Sequence, residues 1–147
     1  MFIDQILPQA RERLATIGAA ASVTEAAEVM SRPHTDLVIV CNDAGSIVGV
    51  ITKTDIVTQI GRCGAGGCAA RVDTIMTREV LSCRANESLQ DVWTAMKARG
   101  LKCIPVLDGE GRPIGILYLR DVLQSLLGEV KDEETLLRDY VMNVGYR

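Results

Sequence analysis

Between Ser88 and Gly100 the apolar residues fall at Leu89, Val92, Trp93 and Met96, the spacing of one helix face. Ser88 is placed to cap this helix and Gly100 to end it, so the pattern predicts an amphipathic helix over Ser88–Ala98. Cys103–Leu107 is a short apolar run, Asp108–Pro113 is dense in turn residues, and Ile114–Tyr118 resumes the run, which reads as strand, hairpin, strand. Asp121–Leu127 returns to helical spacing, and Val80–Cys83 ahead of the first helix reads as another short strand. The order is β-α-β-β-α. The first half repeats it: Ser22 caps a helix through Met30, Leu37–Cys41 and Ile47–Ile51 are strands about Asn42–Gly45, and a helix begins near Asp55.

The two halves are copies. A shift of 66 residues lays Gly45–Asp55 on Gly111–Asp121 without a gap and pairs Ala19 with Ala85, Ser22 with Ser88, Met30 with Met96 and Val40 with Val106. At the same offset Asp73-Thr74-Ile75-Met76 reappears as Asp139-Tyr140-Val141-Met142, and a looser relative, Asp4-Gln5-Ile6-Leu7, opens the chain. Neither half alone holds a robust core, so the expected fold is α/β, two β-α-β-β-α units packed about a pseudo-twofold axis with clefts between them. The expected divisions are a first repeat over 1–62, a glycine-rich linker over 63–71, a second repeat over 72–128, and an extension over 129–147 packing back on the module.

Composition narrows the function. The chain is 48% hydrophobic and 24% charged, has no apolar run of the roughly 18 residues needed to span a bilayer, and opens Met-Phe-Ile-Asp without a basic leader, so a cytoplasmic protein is expected. A net charge of -3 and a single phenylalanine, Phe2, offer neither a basic field nor stacking platforms for nucleic acid. His34 is the one histidine, read as a surface loop residue, and no metal site is expected. Five cysteines fit reduced thiols, with Cys63 and Cys68 read as inert members of the linker. The stretch Gly61–Cys68 lacks the Lys and Ser/Thr of a phosphate loop, and no nucleophile is paired with a base, so no enzyme is expected.

The chemistry concentrates where each second hairpin strand enters a helix, at Gly49–Asp55 and Gly115–Asp121. A helix N-terminus offers free N–H donors and partial positive charge to a phosphate, and a carboxylate in the first turn accepts hydrogen bonds from both hydroxyls of a ribose. Thr52-x-x-Asp55 is equally a capping box, in which both side chains only satisfy backbone amides. In the second copy Tyr118 replaces the threonine and cannot cap in that way, yet Asp121 remains, which favours a ligand role for the carboxylate.

The chain resembles a CBS-domain pair, the tandem module named after cystathionine β-synthase. The resemblance rests on Gly-hydrophobic-x-Thr/Ser-x-x-Asp, met by Gly49–Asp55 and, with Tyr118 substituted, by Gly115–Asp121, and on the strand motif Lys102-Cys103-Ile104-Pro105-Val106, whose proline the first copy lacks. It implies adenosine ligands in two symmetry-related clefts. In the first, Asp55 would hold the ribose, Thr52 ribose or phosphate, and Val50 the base; adenine would lie near Val80, Leu101 and Ile104 with Lys102 close by, and Arg120 would face the phosphate. The second would be lined by Leu14, Thr35, Asp36, Val38, Thr54, Ile116, Tyr118 and Asp121, with Asp36 opposing a phosphate and Tyr118 stacking on a base or plugging the pocket. The implied function is an adenine-nucleotide sensor, AMP first and then ATP, ADP or NAD, that signals to an unknown protein target and forms a homodimer. The alternatives are a ligand-free dimerisation module and an enzyme acting on a nucleotide.

Overall fold

The computed structural model describes residues 1–33, 35–63 and 69–128; His34, Cys68, the fragment Asp139–Met142 and the 129–147 extension lie outside them. Two three-stranded sheets, one per repeat, form the centre. In the first, β2 (Leu37–Cys41) pairs in parallel with β1 (Thr16–Gly18) and antiparallel with β3 (Ile47–Thr52); in the second, β5 (Cys103–Leu107) pairs in the same senses with β4 (Cys83–Arg84) and β6 (Pro113–Tyr118). Even the irregularities repeat: the register slips between Val40 and Cys41 and at the equivalent Val106 and Leu107. This is the expected α/β tandem repeat.

Helix α2 (Val23–Met30) starts on Ser22, whose hydroxyl accepts from the Glu25 N–H, and α4 (Leu89–Arg99) starts on Ser88, whose hydroxyl accepts from the Asp91 N–H. Helix α3 (Lys53–Cys63) begins two residues before Asp55 and takes in Cys63, the first residue of the expected linker; α5 covers 119–128. The strand expected over Val80–Cys83 shrinks to Cys83–Arg84. Proline accounts for one residue of this, Ser82, whose counterpart Thr16 opens β1, while Val80 and Leu81 lie outside the strand as Leu14 and Ala15 do. In the first repeat the Ile39 N–H donates to the Ala15 carbonyl at 2.9 Å, but Ile39 corresponds to Pro105, which has no N–H to give.

The periodicity did not foreshadow the exchange of lead-in segments. The chain start, a 3-10 turn at Ile3–Ile6 followed by α1 (Leu7–Glu12), packs on the second repeat: Ile3 and Asp4 donate to the Glu87 and Ala85 carbonyls, and Ile3, Ile6 and Ala10 join Leu89, Met96 and Leu117 in one core. The corresponding stretch before the second repeat, with its 3-10 turn at Val72–Thr74, packs on the first, where Val72 joins Val23, Val40 and Ile51. Glycine makes both contacts possible. A Cβ on Gly115 would lie 2.9 to 3.0 Å from the Ala10 backbone, and one on Gly49 would lie 2.6 Å from Met76 Sδ and 2.9 Å from the Thr77 carbonyl. A third apolar cluster, Leu37, Ile39, Val50, Ile116 and Tyr118, joins the two sheets.

Among the described residues no helix is long and apolar enough to cross a membrane, and no group of three or more His, Cys, Asp or Glu side chains is gathered to hold a metal. Cys41, Cys83 and Cys103 are free thiols, whereas Cys63 is disulfide-bonded. That corrects the expectation of reduced thiols throughout, because an odd cysteine count does not exclude one pair within it.

Candidate functional site

A cavity of about 740 Å³ opens where the repeats meet. Val50 and Thr52 reach it from β3, Val80 and Leu81 from the segment before β4, and Leu101 to Pro105 from the start of β5. One wall is thus aliphatic, suited to the faces of a flat ring. Thr52, Lys53 and Thr54 also line the cavity at the start of α3, where the partial positive charge of a helix N-terminus favours an anion. Lys102 and Arg99 add positive charge, and Glu79 and Asp36 add two carboxylates.

Thr52 and Asp55 form a reciprocal cap: Asp55 Oδ2 accepts from the Thr52 N–H at 2.9 Å and from its hydroxyl at 3.1 Å, and Thr52 Oγ1 accepts from the Asp55 N–H at 3.4 Å. No hydrogen bond among the described residues reaches Asp55 Oδ1. One carboxylate oxygen therefore holds the helix start while the other has no hydrogen bond, but Asp55 is not among the residues lining the cavity, as its neighbours Thr52, Lys53 and Thr54 are.

Asp36 and Thr54, expected in the second cleft, lie on the wall of this first cavity, and Asp36 pairs with Lys53 at 3.1 Å. Arg120, expected to face a phosphate here, is exposed, with its guanidinium 5.5 Å from the centre of the Tyr118 ring. Sequence reasoning passed over Lys53, Thr77, Glu79 and Arg99. Their signal was proximity along the chain: Lys53 adjoins Thr52, Glu79 adjoins Val80, and Arg99 lies two residues before Leu101.

Cys103 also lines the cavity. Burial pushes its thiol up to about 11, Asp36 adding to the shift and Lys102 opposing it, so near neutral pH it is protonated and a poor nucleophile.

The pseudo-symmetric counterpart is a smaller cavity of about 450 Å³, lined by Gln9, Arg13, Leu14, Ala15 and Thr35 among others. Leu14, Ala15 and Thr35 correspond to Val80, Leu81 and Leu101 of the larger cavity. The remaining expected residues are sealed away: Val38 and Ile116 are fully buried, Tyr118 is 4% exposed, and Asp121 is 5% exposed. Asp121 accepts from Arg13 Nε at 2.6 Å and Nη2 at 3.2 Å and from Gln9 Nε2 at 3.4 Å. Arg13 also lies 4.4 Å from the Tyr118 ring centre, and the Tyr118 hydroxyl accepts from the Asp36 N–H at 3.0 Å. Burial raises the Tyr118 pKa, the Asp36 hydrogen bond opposing the shift.

Solved structures share this fold. The CBS-domain containing protein ATU1752 from Agrobacterium tumefaciens superposes with a TM-score of 0.73 at 26% identity, over 85% of this chain and 98% of that one. The CBS domain pair of protein MJ0100, in complex with 5-methylthioadenosine and S-adenosyl-L-methionine, gives 0.74 at 22% identity, over 88% and 98%. CBSX2, in complex with AMP, gives 0.72 at 23% identity over the same shares of 88% and 98%. In sequence, a homoserine O-acetyltransferase from Methanococcoides burtonii is 31% identical over 112 residues, 76% of this chain and 22% of that protein. Another from Methanosphaera stadtmanae is 33% identical over 100 residues, 68% and 19% respectively, so the chain spans about a fifth of the length of these curated relatives. With the CBS domain pattern matching residues 4–62 and 72–128, one stretch per repeat, the chain belongs to the CBS domain family.

Proposed function

We propose that the chain is a regulatory module that binds an adenine nucleotide in the 740 Å³ cavity, AMP first and then ATP, ADP or NAD, and reports its level to a protein target through conformation or assembly. The observation that carries this is the cavity's division of labour. Val50, Val80, Leu101 and Ile104 offer aliphatic faces to adenine, Thr52 offers an oxygen to the ribose with Asp55 Oδ1 just behind the lining for it to reach, and the α3 N-terminus with Lys53 and Lys102 offers positive charge to the phosphate. MJ0100 and CBSX2, which share the fold, hold adenosine compounds, and that supports the ligand class. The acetyl transfer named for the curated relatives is not part of the proposal, since the chain spans about a fifth of their length.

Native mass spectrometry of freshly purified protein tests the reading by showing retained nucleotide and oligomeric state together. A dimer is expected, because Val57 and Ile60 on α3 and Leu123 and Leu127 on α5 are 40 to 68% exposed on amphipathic helices. A clean monomer at micromolar concentration, with or without AMP, would refute the dimer alone.

Alkylation supplies a second test. Cys103 is expected to react with iodoacetamide slowly at neutral pH and faster only as the pH approaches about 11, with AMP slowing it further by covering the cavity wall. Peptide mapping by mass spectrometry reads the rate; an AMP-indifferent Cys103 would count against binding in this cavity.

A further inference from the structure

We propose that the Asp121 cleft is a latent nucleotide site closed by Arg13, which occupies it as a tethered stand-in for the ligand. This rests on the nucleotide reading of the larger cavity and adds what distinguishes the two clefts. Arg13 presents two N–H donors to Asp121, as the two hydroxyls of a ribose would, and lays its planar guanidinium over the Tyr118 ring, as a base would. One side chain thereby satisfies both groups that a nucleoside would contact.

The repeat supplies the control. The residue corresponding to Arg13 is Glu79, and the two precede matching cavity linings, Leu14-Ala15 and Val80-Leu81. A glutamate cannot pair with Asp55, so the first cavity stays open at about 740 Å³ with Asp55 Oδ1 unpartnered among the described residues, while the second is reduced to about 450 Å³. The linings differ at the equivalent positions: Ile104, Val50 and Thr52 line the larger cavity, whereas their counterparts Val38, Ile116 and Tyr118 do not line the smaller one, and the half-buried Thr52 is replaced by the buried Tyr118. The closing helix belongs to the exchanged lead-in. Arg13, the cap of α1, is drawn across from the start of the chain to a carboxylate 108 positions away.

Equilibrium dialysis with AMP tests the proposal by counting molecules bound per chain. Wild type should bind one, and Arg13→Ala should bind two, the new site at least roughly ten-fold tighter than any second binding by wild type. Two in wild type, or one in both proteins, overturns the latch while leaving the nucleotide reading intact. None in wild type and one in Arg13→Ala supports the latch and overturns the reading of the open cavity; none in either overturns both. Arg13→Met, which retains the apolar stem, replaces Arg13→Ala if the alanine variant does not fold. Glu79→Arg carries the latch to the other cleft at an exposed position and should lower AMP affinity roughly 10-fold or more by pairing with Asp55. If both Arg13 variants fail to fold and Glu79→Arg binds AMP as wild type does, the proposal falls.

Discussion

Asp55→Ala is expected to weaken AMP binding roughly 10- to 150-fold, the equivalent of about 1.5–3 kcal/mol for losing an ionised hydrogen-bond acceptor. The geometry adds a second effect, on fold stability, that can be measured separately from the affinity loss. Oδ2 caps α3 through the Thr52 N–H, so the second effect is a loss of fold stability of about 0.5–2 kcal/mol in the absence of nucleotide. Oδ1 is the oxygen proposed to meet the ribose, and its removal is expected to appear only as a smaller nucleotide-induced rise in melting temperature. Because a ligand at about 100 times its dissociation constant stabilises a fold by roughly 2.7 kcal/mol, a thermal-shift series separates the two. Asp121→Ala should lower the melting temperature yet diminish the AMP response less, since Arg13 already occupies that carboxylate. A full response in Asp55→Ala together with an abolished one in Asp121→Ala would reverse the assignment of the clefts.

Gly115→Ala is expected to destabilise the fold by about 1–3 kcal/mol, the range for forcing an extra methyl into packed structure. The new Cβ would meet the carbonyl carbon and oxygen of Ala10 at 2.9 and 3.0 Å, backbone atoms that cannot rotate aside, so α1 must shift as a body. At roughly 2–4 °C per kcal/mol for a domain of this size, the melting temperature should fall several degrees. Gly49→Ala should be milder, because its nearest neighbours are the flexible Met76 Sδ and Cγ, although the Thr77 carbonyl at 2.9 Å also resists. Gly61→Ala is the opposite-sign control: nothing lies within 4 Å of its would-be Cβ, it sits inside α3, and alanine there should stabilise by about 0.4–1 kcal/mol. Urea melts of the three variants check the order; a neutral Gly115→Ala would mean that α1 does not rest on β6 as described.

The hairpin strands and capped helices were legible because each depends on contacts close along the chain: the period of apolar positions, Ser22 and Ser88 at their caps, the turns after Cys41 and Leu107. So was the position of both carboxylates, since Asp55 and Asp121 follow directly from where a strand enters a helix. Pro105 also carried its message in the sequence, but only comparison with Ile39 in the folded sheet shows which hydrogen bond it removes. The exchange of lead-in segments was not legible. An apolar stretch such as Ile3–Ile6 fits either repeat equally well by pattern, and the choice follows from which surface its backbone meets. The closure of one cleft was hidden for the same reason. Arg13 and Asp121 lie 108 positions apart, so their pairing exists only once α1 crosses to the second repeat. By itself the sequence determined two similar halves with two carboxylates at equivalent places and marked their clefts as unequal through Asp36 and Tyr118; the tertiary structure decided that Asp121 is buried against Arg13 while Asp55 is not so paired, because burial next to an oppositely charged partner settles whether a carboxylate is open to a ligand.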